Sequence, residues 1–157
     1  MSAMFCYQCE EAANNEACTV RGVCGKSPEI AHLQDLLIWL LKGISFWGVR
    51  ARRNLGIVET DTDLFVAKGL FATVTNVNFD PDRYVAWISE AVSRRDALRA
   101  RAQGRCRGLH GADACADDLP EHATWAPKTF DAQVLGMKGQ LVGIMADPQL
   151  DADIRSL

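Results

Sequence analysis

Apolar residues recur at Ile30, Leu33, Leu36, Leu37, Leu40, Leu41, Ile44 and Trp47. Steps of three and four put them on one helical face. Ser27-Pro28, just ahead, reads as an N-cap followed by proline in the first turn. Asn54-Leu55-Gly56 supplies the stop, so the pattern predicts a helix from Pro28 to about Arg53. A second helix is expected from Asp63 to about Thr75, with Leu64, Ala67, Leu70, Phe71 and Val74 turned inward. Asp80-Pro81 repeats the start signal, and a third helix follows, with Tyr84, Val85, Ile88, Val92 and Leu98 buried and its arginines outside. No alternating pattern long enough for a strand stands out. The expected fold class is therefore all-α, three antiparallel helices joined by short connections.

The pattern loosens after the third helix. Gly104, Gly108, Gly111, Asp113, Asp117, Asp118, Pro120 and Pro127 mark a loop-rich connection. Phe130 to Met137 fits a short helix and Leu141 to Met145 a short apolar segment. Asp151 to Leu157 reads as another helix beginning, and Ile154-Arg155-Ser156-Leu157 is similar to Ile30-Ala31-His32-Leu33. A helix that short does not hold itself together in water. The organisation expected is a cysteine-rich loop over residues 1–27, a three-helix bundle over 28–105, and a connection with the start of a second helical bundle over 106–157. The alternative is a short independent protein with a frayed C-terminal tail.

Composition narrows the function classes. The chain has 157 residues, 48% of them hydrophobic, with a net charge of −3. That balance gives no electrostatic case for nucleic acid as a partner. The longest apolar run, Leu36 to Leu41, is far below the roughly 18 residues of a membrane span. A soluble, cytoplasmic protein is expected.

The candidate chemistry lies ahead of the first helix. Cys6, Cys9, Cys18 and Cys24 form C-x2-C-x8-C-x5-C, four of the chain's six cysteines. Thiolates are soft ligands, and four without a histidine suit an all-cysteine iron–sulfur cluster or a closed zinc site. Met1-Ser2-Ala3-Met4 has neither the basic region nor the apolar core of a signal peptide, which argues against a secreted disulfide framework. The gaps of eight and five do not repeat a zinc knuckle, so the cluster is favoured.

At these residues the chain resembles a known family. M-F-C-Y-Q-C-E-E-A, C-T-V-R-G-V-C-G-K and L-Q-D-L-L-I-W-L-L-K-G-I-S look like the start of hybrid cluster proteins. These are also called prismane proteins or hydroxylamine reductases, and are relatives of nickel carbon monoxide dehydrogenases. G-L-F-A-T-V-T-N-V-N-F-D and I-S-E-A-V-S-R-R-D continue the likeness in order. The resemblance implies that Cys6, Cys9, Cys18 and Cys24 hold one cubane, by spacing of the [4Fe-4S] rather than the [2Fe-2S] class. It also implies that all three parts of the chain belong to one N-terminal domain of a longer parent, which reduces hydroxylamine or nitric oxide at a hybrid iron–sulfur–oxygen cluster. The histidine, glutamate and cysteine ligands of that cluster would lie in later domains, so no catalytic residue is expected here. The partners expected are those remaining domains and a redox donor protein. The competing class is a non-catalytic module, either a stand-alone iron–sulfur carrier or sensor, or a zinc-stabilised helical scaffold.

Several other residues have two readings. Lys26 is either a cation near Cys24 that favours a reduced cluster or a solvated surface charge. Backbone N–H groups from Thr19 to Gly25 could donate to cluster sulfurs, with Gly22 and Gly25 allowing close approach. Phe5 and Tyr7 could shield a cluster or be ordinary core. Cys106 and Cys115 bracket His110 as C-x3-H-x4-C, which lacks a fourth ligand and reads as free thiols. His32 is expected at a helix boundary and His122 in a loop. Arg94, Arg95, Arg99, Arg101, Arg105 and Arg107 read as the solvated face of the third helix, with a docking patch for an acidic electron donor as the alternative. Trp39, Trp47 and Phe71 are expected in the core.

Overall fold

The computed structural model describes residues 3–74, 78–111 and 118–143. Among them the architecture is all-α: α1 (Pro28–Leu55), α2 (Thr60–Val74), α3 (Pro81–His110) and α4 (Ala132–Val142). Among the described residues two short 3-10 turns occur, Ala13–Asn15 ahead of α1 and Glu121–Ala123 between α3 and α4. The segment expected to open a second bundle, Asp151 to Leu157, lies outside the described residues.

The start and stop signals act as the sequence implies. The Ser27 hydroxyl accepts the Ile30 N–H at 3.3 Å, with Pro28 in the first turn. Gly56 takes the left-handed conformation at φ 66°, and the Ile57 N–H donates to the Ala51 carbonyl at 3.0 Å. Asp80 caps α3 by accepting the Asp82 N–H at 3.0 Å. The third helix continues through Cys106 to His110, past the boundary expected at Arg105.

Helix α1 is the axis of the molecule, and α2, α3 and α4 all pack against it. Its whole predicted face, from Ile30 to Trp47, is buried. Tyr84, Ile88, Val92 and Leu98 of α3 complete the core, with Val85 half-buried against it. Gln34 Nε2 donates to the Tyr84 hydroxyl at 2.6 Å, and that hydroxyl donates to the Ala72 carbonyl at 3.0 Å. One buried chain of polar groups therefore ties α1, α3 and the end of α2. Contacts at both ends make α1 antiparallel to α2, since Lys26 meets Thr73 and Arg52 meets Asp63.

The expected face of α2 is wrong. Thr62, Phe65, Gly69 and Thr73 are buried, whereas Leu64, Ala67, Leu70, Phe71 and Val74 are exposed, Phe71 by 66%. Close approach is the reason. A side-chain carbon on Gly69 would meet Leu41 Cδ1 at 2.8 Å, so the small face is the one that fits against α1. The Thr73 hydroxyl satisfies itself on the Leu70 carbonyl at 2.8 Å and can be buried without an outside partner.

The sequence implies only part of α4, a short helix from Phe130 to Met137, whereas the helix runs on to Val142. It crosses α1 so closely that any side chain on Gly139 would run into the His32 carbonyl. The 3-10 turn at Glu121–Ala123 is held likewise. Gly43 leaves room for the His122 carbonyl, Trp47 Nε1 donates to the Ala123 carbonyl at 2.9 Å, and Arg95 Nη1 donates to the His122 carbonyl at 3.2 Å. Arg95 is fully buried, contrary to the expectation of an all-solvent arginine face, because its guanidinium closes this turn and pairs with Asp96 at 2.8 Å. Trp39 is half-buried and packs edge-on against Trp125 at 5.8 Å, with Lys138 Nζ 4.8 Å from its ring centre.

Candidate metal centre

The cysteine-rich segment folds back on itself ahead of α1. Ala3 and Met4 both donate their N–H groups to the Thr19 carbonyl, at 2.9 and 3.1 Å. Cys6 and Cys18 then form an antiparallel bridge, with Cys6 N–H to Cys18 O at 3.1 Å and Cys18 N–H to Cys6 O at 2.9 Å. Beneath them Met4, fully buried, packs with Cys18 and Ala31 as a small separate core. Ala31 belongs to the first turn of α1, so this core seats the loop on the start of that helix. Sequence reading missed Met4, although its place two residues before Cys6 was the available signal.

All four cysteines line one small pocket, together with Gln8, Glu11, Gly22, Val23, Lys26 and Val74. All four are free thiols, Cys18 buried and the other three half-buried. Gly22 is needed for the approach of Cys24, since a side-chain carbon there would meet Cys24 Sγ at 3.1 Å and Lys26 Cβ at 2.9 Å. The donors expected from this stretch are partly spent within the loop. Gly22 N–H binds the Lys26 carbonyl at 2.9 Å, and Gly25 N–H binds the Gly22 carbonyl at 2.8 Å.

Lys26 is not a solvated charge. It is 2% exposed, and its Nζ lies 3.3 Å from Cys6 Sγ, 3.1 Å from Gln8 Oε1 and 3.5 Å from the Thr73 carbonyl. Tyr7 is exposed and Phe5 half-buried, and neither lines the pocket. Val74, from the far end of α2, does line it.

The donor set can be tested for fit. A single ion requires its sulfurs about 2.3 Å from one point. Among the described residues no three His, Cys, Asp or Glu side chains converge closely enough to hold one ion. By chemistry the donor set is four soft cysteine sulfurs around one small space, and the buried ammonium against one of them suits a site of negative charge.

The remaining titratable candidates have structural surroundings. His32 is buried, with Gln140 Nε2 3.3 Å from its Nδ1 and a hydrogen bond to the Ala3 backbone. It joins α1, α4 and the start of the cysteine loop, and burial lowers its pKa. His122 packs edge-on against Trp39 and Phe46, each at 6.1 Å. Its pKa is lowered by burial and by Lys42 and Arg95 nearby. Burial raises the pKa of Asp35 to about 7, against the opposing pull of Lys26 and Lys42. Cys106 is disulfide-bonded rather than free, so its sulfur is not available as a thiolate ligand. His110 is exposed at the end of α3, and Cys115 lies outside the described residues.

Residues 4–145 match the model of the Prismane/CO dehydrogenase family, and the chain belongs to that family. Among its relatives, the hydroxylamine reductase of Petrotoga mobilis is 46% identical over 154 residues, which is 98% of this chain and 28% of that protein. The hydroxylamine reductase of Nitratidesulfovibrio vulgaris is likewise 46% identical over 154 residues, 98% of this chain and 27% of its own length. That of Halothermothrix orenii is 43% identical over 155 residues, 99% of this chain and 27% of its own length. The chain therefore spans little more than a quarter of each. No helix among the described residues is long and apolar enough to cross a membrane.

Proposed function

We propose that Cys6, Cys9, Cys18 and Cys24 hold a [4Fe-4S] cluster and that this chain is the electron-transfer part of a hydroxylamine reductase-type oxidoreductase. The reading fits the family, whose proteins bind iron–sulfur clusters. The observation that carries it is the pocket: four free cysteine sulfurs around one space, with a buried ammonium against one of them. A cubane held by four thiolates has a net charge of about −2, and burying that charge requires donors and cations. When bound, the cluster supplies one-electron storage. The chain's own part is to space the sulfurs through the Cys6–Cys18 bridge, seat them on Met4 and Ala31, and set Lys26 at Cys6.

Catalysis is assigned elsewhere. Reduction of hydroxylamine or nitric oxide needs a metal with an open coordination position, and four protein ligands leave none. We assign it to a hybrid iron–sulfur–oxygen cluster in the remaining domains of the parent, fed by a redox donor protein. The test is to load the 157-residue chain with iron and sulfide, reduce it with dithionite, and measure ammonia made from hydroxylamine. Reduction without turnover is expected. Turnover above the free-iron background would move the chemistry into this chain.

A further inference from the structure

We infer that Lys26 is the positioning residue of this centre, fixing the Cys6 sulfur and placing the main compensating charge at that corner. This rests on the iron–sulfur reading and adds an asymmetry to it. The other candidate donors are neutral backbone groups, two of which are already used inside the loop. The Lys26 ammonium, by contrast, is buried and, among the described residues, bonded to a single thiol, that of Cys6.

Its other partners explain how it stays there. Gln8 Oε1 belongs to the Cys6–Cys9 turn, and the Thr73 carbonyl belongs to the last turn of α2. The ammonium thus spans the cysteine loop and the helix that contributes Val74 to the pocket. Gly22 allows the stem to enter, since a side chain there would press on Lys26 Cβ at 2.9 Å. Burying an ammonium is expensive unless negative charge lies near it, and apart from the Asp35 carboxyl, which also interacts with Lys26, the nearest group able to carry that charge is the Cys6 sulfur. A cysteine sulfur that ligates a cluster carries such charge, and an added electron would increase it.

The chemical consequence concerns one electron. Uptake from an external reductant makes the centre one unit more negative, with no proton moved, and a fixed cation at Cys6 favours that state. Glu11, also at the pocket, opposes it, but Glu11 is exposed and screened by water.

The test compares Lys26→Met, Lys26→Gln and Lys26→Arg in the iron-loaded chain, with iron and sulfide assays, helical circular dichroism and potentiometric titration followed by electron paramagnetic resonance. Met removes charge and donor, Gln keeps a donor, and Arg keeps the charge. At a fixed poise, the reduced-to-oxidised ratio is expected to fall about tenfold in Met and Gln, equivalent to 59 mV for a one-electron couple. It should stay near wild type in Arg. If Met and Gln fail to load iron while Arg loads it, the charge is needed for assembly, which also supports the assignment. Fully loaded Met and Gln variants with the wild-type ratio would overturn it. So would loss of iron from all three with helices intact, since packing of the stem would then be what matters. Failure of wild type to bind iron would instead refute the cluster reading itself.

Discussion

Cys6 and Cys18 exchange both of their backbone hydrogen bonds, at 3.1 and 2.9 Å, although eleven residues separate them in the chain. Two candidate ligands are thus set side by side by the backbone. The bridge predicts a hierarchy of amide exchange in the metal-free chain. The Cys6, Cys18, Gly22 and Gly25 amides, all bonded inside the loop, should exchange more slowly than that of Val20. Loading iron and sulfide should then slow the whole loop, because metal-site formation adds folding free energy. Equal exchange with and without iron, read by mass spectrometry or NMR, would count against coupling.

Asp35 predicts a pH dependence. Its pKa is raised from 3.8 to about 7 by burial, so between those values the folded chain holds a proton that the unfolded chain has released. The contribution is full below pH 4 and is lost as pH rises through 7. A rise from 3.8 to about 7 would correspond to about 4 kcal/mol, and the half-buried side chain brings the expected loss to about 1–3 kcal/mol. Urea midpoints measured from pH 4.5 to 8 should show wild type losing stability relative to Asp35→Asn. Parallel curves would refute the assignment.

The α1–α4 crossing separates two glycines one turn apart. Gly139→Ala should cost about 1–3 kcal/mol, because the new methyl meets the His32 backbone. Gly136→Ala has only His32 Cβ at 4.0 Å beside it, and it should be neutral or stabilising by up to about 1 kcal/mol through helix propensity. Thermal melts of the two variants decide this, and equal effects would contradict the close approach.

Arg95 and Arg105 lie on one helix and differ in kind. Arg95→Leu should cost about 2–4 kcal/mol, because it strands the His122 carbonyl and the turn that Trp47 also holds. Arg105→Ala, at an exposed site, should stay within about 0.5 kcal/mol. Similar costs would return Arg95 to the solvated face that the sequence implies.

These contrasts show which features were legible in the sequence. The face of α1 was, because eight large apolar residues at steps of three and four have one way to be buried. The helix caps were, because Ser27-Pro28, Asp80-Pro81 and Gly56 each have a local cause. The face of α2 was not. Its bulky positions form a helical stripe as regular as that of α1, and only Leu41 resting on Gly69 reveals that the small face turns inward. Arg95 was hidden for a similar reason, since its acceptor is a carbonyl twenty-seven residues away. At the candidate centre the four cysteines were plain from type and spacing. Lys26 was visible as a charge but undecided in role, because its burial depends on Thr73 at the far end of another helix.

The central claim is that four cysteines hold an iron–sulfur group, and metal and acid-labile sulfide analysis of the anaerobically prepared chain tests it most directly. About four irons and four sulfides per chain are expected, with broad absorbance near roughly 400 nm. Cys9→Ser and Cys24→Ser should each abolish or convert the cluster. Cys106→Ser should leave it intact, since that sulfur is already engaged in a disulfide. A colourless protein with one zinc per chain and no sulfide, after iron-replete expression, would contradict the account.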